Sequence, residues 1–175
     1  MSHSGIIHYS PTAKYSLGYR TEYFKHEPAY AHSFTVNNLL KRINSPNYQA
    51  NLYTKSGIGL IHDSSEIAPL LFSGLSADIE NRRLYASYSN RFLWGGDVFS
   101  QINNRFRFGL APYVADYGSL HSWFMVQLDH NPINDRKFAV TPFVRFFKSN
   151  YLLEVGYGFT EDGEGNLLAN FTISL

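Results

Sequence analysis

Three histidines in this chain stand next to a carboxylate, each at the end of an alternating segment: His26-Glu27, His62-Asp63 and Asp129-His130. Imidazole plus carboxylate, without thiolate, is a borderline-hard donor set that suits zinc, copper(II) or nickel. The candidate metal ligands are therefore His26, Glu27, His62, Asp63, Asp129 and His130, and a divalent metal such as zinc or copper is the one cofactor the residues suggest. None of the pairs has a recognised spacing such as His-x-x-x-His, so histidines solvated in turns are the plainer reading. Ser64 and Ser65 follow His62 and Asp63. Sequence neighbours rarely reach triad geometry, no nucleophile elbow is present, and no catalytic residue is assigned.

A second set of charges recurs at every other position within longer segments. Arg20, Glu22, Lys55, Asp78, Glu80, Arg91, Arg105, Arg107, Arg145 and Glu154 alternate with large apolar side chains, and they share their face with glycines such as Gly18, Gly59, Gly109 and Gly156. Bases and acids intermix along that face, as groups that neutralise one another would. His121 falls in step with Trp123, Met125 and Gln127 and reads as a packed histidine on the same side.

The elements that must carry these residues are strands. Tyr151, Leu153, Val155, Tyr157 and Phe159 oppose Leu152, Glu154, Gly156, Gly158 and Thr160, a period of two rather than 3.6. The same alternation predicts ten strands near 13–25, 29–42, 48–62, 69–80, 83–94, 98–113, 119–129, 137–148, 150–160 and 166–175. Eight strands with longer loops is the alternative. Turn residues separate them: Asn-Ser-Pro-Asn at 44–47, Asp-Ser-Ser-Glu at 63–66 and Gly-Gly-Asp at 95–97. Residues 1–12 fall outside the pattern as an N-terminal segment, leaving 13–175 as one domain.

Composition narrows the class. The chain is 44% hydrophobic and 17% aromatic with 17% charged residues, so it is not a polar disordered tract. The absence of cysteine excludes a disulfide framework and thiol chemistry. A net charge of +1 gives no electrostatic case for nucleic acid. No run approaches the roughly 18 apolar residues of a membrane helix.

Which face is the core decides the rest. In a soluble sheet the apolar face points inward and the charged face meets water. Here one face is aromatic and nearly uncharged, while the other mixes glycine with paired charges. Glycine and neutralised charge suit the inside of a narrow barrel; apolar and aromatic residues suit lipid, with Tyr and Trp at headgroup level. Only a closed sheet satisfies every backbone polar group within a bilayer. The expected fold is all-β: a closed antiparallel up-and-down transmembrane β-barrel.

The alternating segments, tight turns and terminal strand Asn166-Leu-Leu-Ala-Asn-Phe-Thr-Ile-Ser-Leu175 resemble small bacterial outer-membrane β-barrels over residues 13–175. That family usually ends on an aromatic residue, where this chain has Leu175. The stretch from Ser122 to Phe159 is similar to an uncharacterised group of barrels associated with heavy-metal efflux loci. The resemblance implies an outer-membrane location, periplasmic termini, and lipids and lipopolysaccharide as surroundings. On that orientation the outer turns are acidic, with Glu27, Asp63, Glu66, Asp97, Asp129, Asp135, Glu161, Asp162 and Glu164 against Lys25, Arg136 and Lys137, and the periplasmic ones are basic, with Lys41, Arg42, Arg82, Arg83 and Lys148 against Asp116. The functional expectation is a charged, largely filled lumen that binds or passes small cations, divalent heavy metals among them, without catalysis. A rim-located lipid or peptide hydrolase and a structural barrel without transport are the alternatives.

Overall fold

Aromatic and β-branched residues at alternate positions favour a pleated strand with distinct faces. In the computed structural model every regular element among the described residues is accordingly a strand. It describes residues 2–25, 28–116, 118–133, 138–161, 163 and 165–174. The strands are β1 (Ser2–Tyr9), β2 (Tyr15–Phe24), β3 (Ala29–Asn44), β4 (Gln49–His62), β5 (Ile67–Glu80), β6 (Leu84–Gly95), β7 (Phe99–Leu110), β8 (His121–His130), β9 (Phe138–Lys148), β10 (Tyr151–Thr160) and β11 (Gly165–Ile173). They form one antiparallel up-and-down sheet whose spatial order follows the sequence.

Two expectations are corrected. Among the described residues the sheet has eleven strands, neither ten nor eight, because Ser2–Tyr9 pairs along β2 from Ser2↔Phe24 to Tyr9↔Leu17. Adjacent Ile6 and Ile7 and the small Gly5 hide its alternation. The sheet is also open: its order ends at β1 and β11, which are not neighbours. In an up-and-down sheet all odd-numbered strands run the same way, so the first and last of eleven cannot join through an antiparallel ladder.

Local turn chemistry sets the hairpins. Asn81 Oδ1 accepts from the Arg83 and Leu84 amides at 2.8 and 2.7 Å, which closes the β5–β6 connection. Ser149 adopts φ 55° between β9 and β10, the left-handed conformation that tight hairpins demand.

The chain divides into two compact units. The first comprises Met1–Arg42, Asn51–Ala77 and Ser89–Asn103; the second comprises Ile43–Ala50, Asp78–Tyr88 and Asn104–Leu175. In the first, Phe24, Ile61, Leu70, Phe72, Leu93 and Phe99 form a buried apolar cluster. Phe24 of β2 meets Phe99 of β7 with ring centroids 4.5 Å apart, although four strands separate them in the sheet, so this unit curls around its own interior. In the second, Ala111, Trp123, Met125 and Phe143 are buried, with Tyr85 and Leu168 packed against them.

Candidate functional site

The polar side chains of each unit collect on its enclosed face. In the first unit Glu22 is only 4% exposed. Its carboxylate accepts from Arg20 Nε at 2.9 Å and from Arg91 Nη1 and Nη2 at 3.0 and 3.2 Å. Arg91 stands on β6 and Glu22 on β2, so this bond spans the interior rather than a strand pair. Two guanidinium groups around one carboxylate satisfy both its oxygens, as a buried charge requires. The space left beside them, lined by Arg20, Glu22, Ser33, Leu70 and Arg91, is about 10 Å³, room for one water.

The second unit repeats the arrangement with a longer chain of partners. Glu154, 1% exposed, accepts from Arg145 Nη2 at 2.7 Å and Nε at 2.8 Å, from Arg107 Nη1 at 3.4 Å and from Asn170 Nδ2 at 3.0 Å. Arg107 Nε donates to Gln127 Oε1 at 2.8 Å. Gln127 in turn donates to Asp129 Oδ2, while Arg105 Nε donates to Asp129 Oδ1 at 2.7 Å. The Arg107 guanidinium lies 5.4 Å from the Phe143 ring centroid and that of Arg145 lies 5.0 Å from Tyr85, so aromatic faces cover the cations from the side. Lys55, Asp78 and Glu80 are half-buried. His121 Nε2 is 3.2 Å from the Tyr113 carbonyl oxygen and its ring packs on Trp123.

Of the expected metal ligands, His26 and Glu27 lie outside the described residues, as do the turn residues Asp135, Asp162 and Glu164. Asp129 is not a turn residue. It belongs to β8, faces inward with Trp123, Met125 and Gln127, and is held by Arg105. His130 points to the other side and stacks on Phe138 at 4.5 Å. Asp63 Oδ1 accepts from the Ser65 and Glu66 amides at 2.7 and 2.8 Å and from the Ser65 hydroxyl at 2.9 Å. Those donors, the Ser65 amide first, hold its carboxyl below the ordinary aspartate value. His62 joins a different assembly: its ring stacks on Tyr30 at 5.3 Å and lies parallel to His32 at 6.4 Å, while Tyr19 Oη is 2.9 Å from His32 Nδ1. Among the described residues, no group of three or more His, Asp or Glu side chains is placed to hold a metal ion.

The outward face is the inverse of the interior. Phe34, Ile58, Leu60 and Leu71 of the first unit are exposed, as are Phe108, Phe124, Val126, Val155 and Phe171 of the second; Phe34 reaches 69% and Phe124 61%. Tyr23, Tyr30, His62, His32, Tyr19 and Phe34 form a continuous column of rings there.

Compared with known proteins, the chain matches no family model, no curated protein and no solved structure.

Proposed function

We propose that this protein is an integral β protein of a bacterial outer membrane, seated in lipid by its apolar face with the β1 and β11 edges joined there in a parallel ladder that satisfies their backbone groups, and that its neutralised interior admits only small cations. The inversion of the two faces carries the reading. Large apolar side chains are exposed at alternate positions while Glu22, Glu154, Asp129 and Gln127 are buried. Monomeric proteins in water do not expose apolar surface on that scale, whereas a lipid-facing sheet has that alternation.

Within each unit a buried apolar cluster and an ion-paired network leave little room for a wide pore, so passage is limited to small solutes. The carboxylates of Asp63, Glu66 and Asp97, in turns that follow even-numbered strands, favour cations as the solute by local potential. Divalent metals belong to this reading as cargo.

The test is reconstitution. The urea-unfolded chain is diluted into phospholipid vesicles, and insertion is read by protease protection. Conductance and reversal potential are then measured in a planar bilayer under a salt gradient. Protection with a small, cation-selective conductance supports the reading. A monomer that stays dispersed in plain buffer refutes it, and insertion without any conductance leaves the structural role in place of transport.

A further inference from the structure

The outward face of the second unit bears a trough that runs across four strands. Gly109, Met125, Phe143 and Gly156 are in register on β7, β8, β9 and β10, and the side chains of this row turn inward. Seen from outside the row therefore offers only backbone. On one side stand Phe108, Val126 and Pro142, and on the other Phe124, Val144 and Val155. The groove is shallow and open to the outside, with a volume of about 650 Å³, and every side chain around it is apolar.

The groove meets a weak joint in the sheet. Pro142 has no amide hydrogen to donate. The β9–β10 ladder is paired at Gly156↔Phe143 and again at Phe159↔Val140, with no pairing between them at Pro142 and Thr141. In the same register Gly158 stands opposite Thr141 and Tyr157 opposite Pro142.

Charge lies at one end. Pro142, Val144, Phe146 and Lys148 share the outward face of β9, and Lys148 is exposed. It stands four residues beyond Val144, about 13 Å along an extended strand. That is close to one leaflet's share, about 15 Å, of a hydrocarbon core roughly 30 Å thick. Arg83 lies at the same end, fixed by donation to the Ala111 and Pro112 carbonyls at 3.3 and 3.1 Å, just past Leu110 of β7. Arg82 adds a further base and Asp116 is the acid nearby.

We propose that this trough holds an acyl chain of an anionic glycerophospholipid whose phosphate rests against Lys148 and Arg83. The inference rests on the membrane reading above and adds a specific lipid to it. The absence of polar side chains selects the chain, and the basic end selects the anionic headgroup.

The protein is folded into nanodiscs containing phosphatidylcholine and phosphatidylglycerol with identical acyl chains, released into mild detergent and weighed by native mass spectrometry. One phosphatidylglycerol is retained in preference to phosphatidylcholine. Lys148→Gln lowers that retention about fivefold, the equivalent of one basic residue at a membrane surface, and leaves phosphatidylcholine unchanged. Val144→Trp fills the trough and lowers retention of both lipids, with Val155→Phe as the second variant should the first fail to fold. Leu60→Trp, on the outward face of β4, leaves retention unchanged. Equal retention of the two lipids by inserted protein, or retention indifferent to both Lys148→Gln and the trough variants, overturns the proposal and leaves the membrane reading standing. Failure to enter nanodiscs of any composition overturns the membrane reading instead.

Discussion

Replacing Glu154 by Gln removes one charge from a network built around it and changes almost no volume. The carboxylate is 1% exposed and accepts from Arg145 through two nitrogens, from Arg107 and from Asn170. Gln keeps one acceptor oxygen but turns the other into an NH₂ that faces donors. Breaking a buried ion pair from one side costs about 3–5 kcal/mol. Two features place this case at the lower end: the Arg107 and Arg145 side chains keep 19% and 15% exposure, and each guanidinium lies against an aromatic ring. The expected loss is about 3 kcal/mol. With a urea dependence of about 1–3 kcal/mol/M, the unfolding midpoint falls by about 1–3 M. The assay is tryptophan fluorescence of vesicle-folded protein in rising urea. The double variant Glu154→Gln with Arg145→Gln removes a cation as well and regains part of the loss. A single-variant midpoint within about 0.3 M of the parent would show that Glu154 does not hold the interior together.

Leu71→Arg on the outward face of β5, where the leucine is 46% exposed, costs about 2–4 kcal/mol if that face meets the bilayer midplane; a change within about 0.5 kcal/mol, normal for a surface site in water, would refute lipid contact there. Thr35 Oγ1 and Ser76 Oγ are buried without a hydrogen-bond partner among the described residues, so Thr35→Val and Ser76→Ala leave urea stability unchanged or raise it by up to about 1 kcal/mol; a loss beyond that range would reveal a partner for the hydroxyl. Asp63 has a lowered folded-state pKa, so its stabilisation of the β4–β5 turn is present above the unfolded value and fades as pH falls through the folded one. Carboxyl NMR titration of the folded protein should place Asp63 below a free aspartate, and Ser65→Ala should bring it closer; a normal value in the parent would contradict the turn geometry.

Much of the inside–outside sorting was legible in the sequence because a strand's faces alternate without exception until a bulge intervenes. Glu22 and Arg91 meet on the enclosed face of the first unit, and Arg107, Arg145 and Glu154 on that of the second, each on the side its parity gives. Asp129 was readable by the same rule, since it is in step with Trp123 and Gln127, but a strand boundary placed there put it in the turn. β8 continues to His130, and one residue of strand decides whether a carboxylate is a rim ligand or a lattice member. Which arginine meets which acid was not legible. Arg91 reaches Glu22 across 69 residues of sequence, a contact set by how tightly the first unit curls. Asn170 as a partner for Glu154 was likewise hidden until the β10–β11 register paired them. The pairing of His32 with His62 escaped because His32 has no acidic neighbour and sits inside β3.

The energetics of the two faces favour the same environment. Placed in water, this sheet would leave apolar surface such as Phe34, Phe124 and Phe171 unburied, giving up about 25 cal/mol for each Å² of it. Its interior would offset little of that, because buried ion pairs often contribute no more than apolar residues of equal size. Lipid changes the first term and not the second: the outward residues become the solvated ones, and the arginine–carboxylate contacts serve mainly to fix which strands face one another. On the proposed transport reading, the same contacts would govern passage. A cation entering either unit must compete with two guanidinium groups for Glu22 or Glu154, and it enters a space where the cations already exceed that carboxylate.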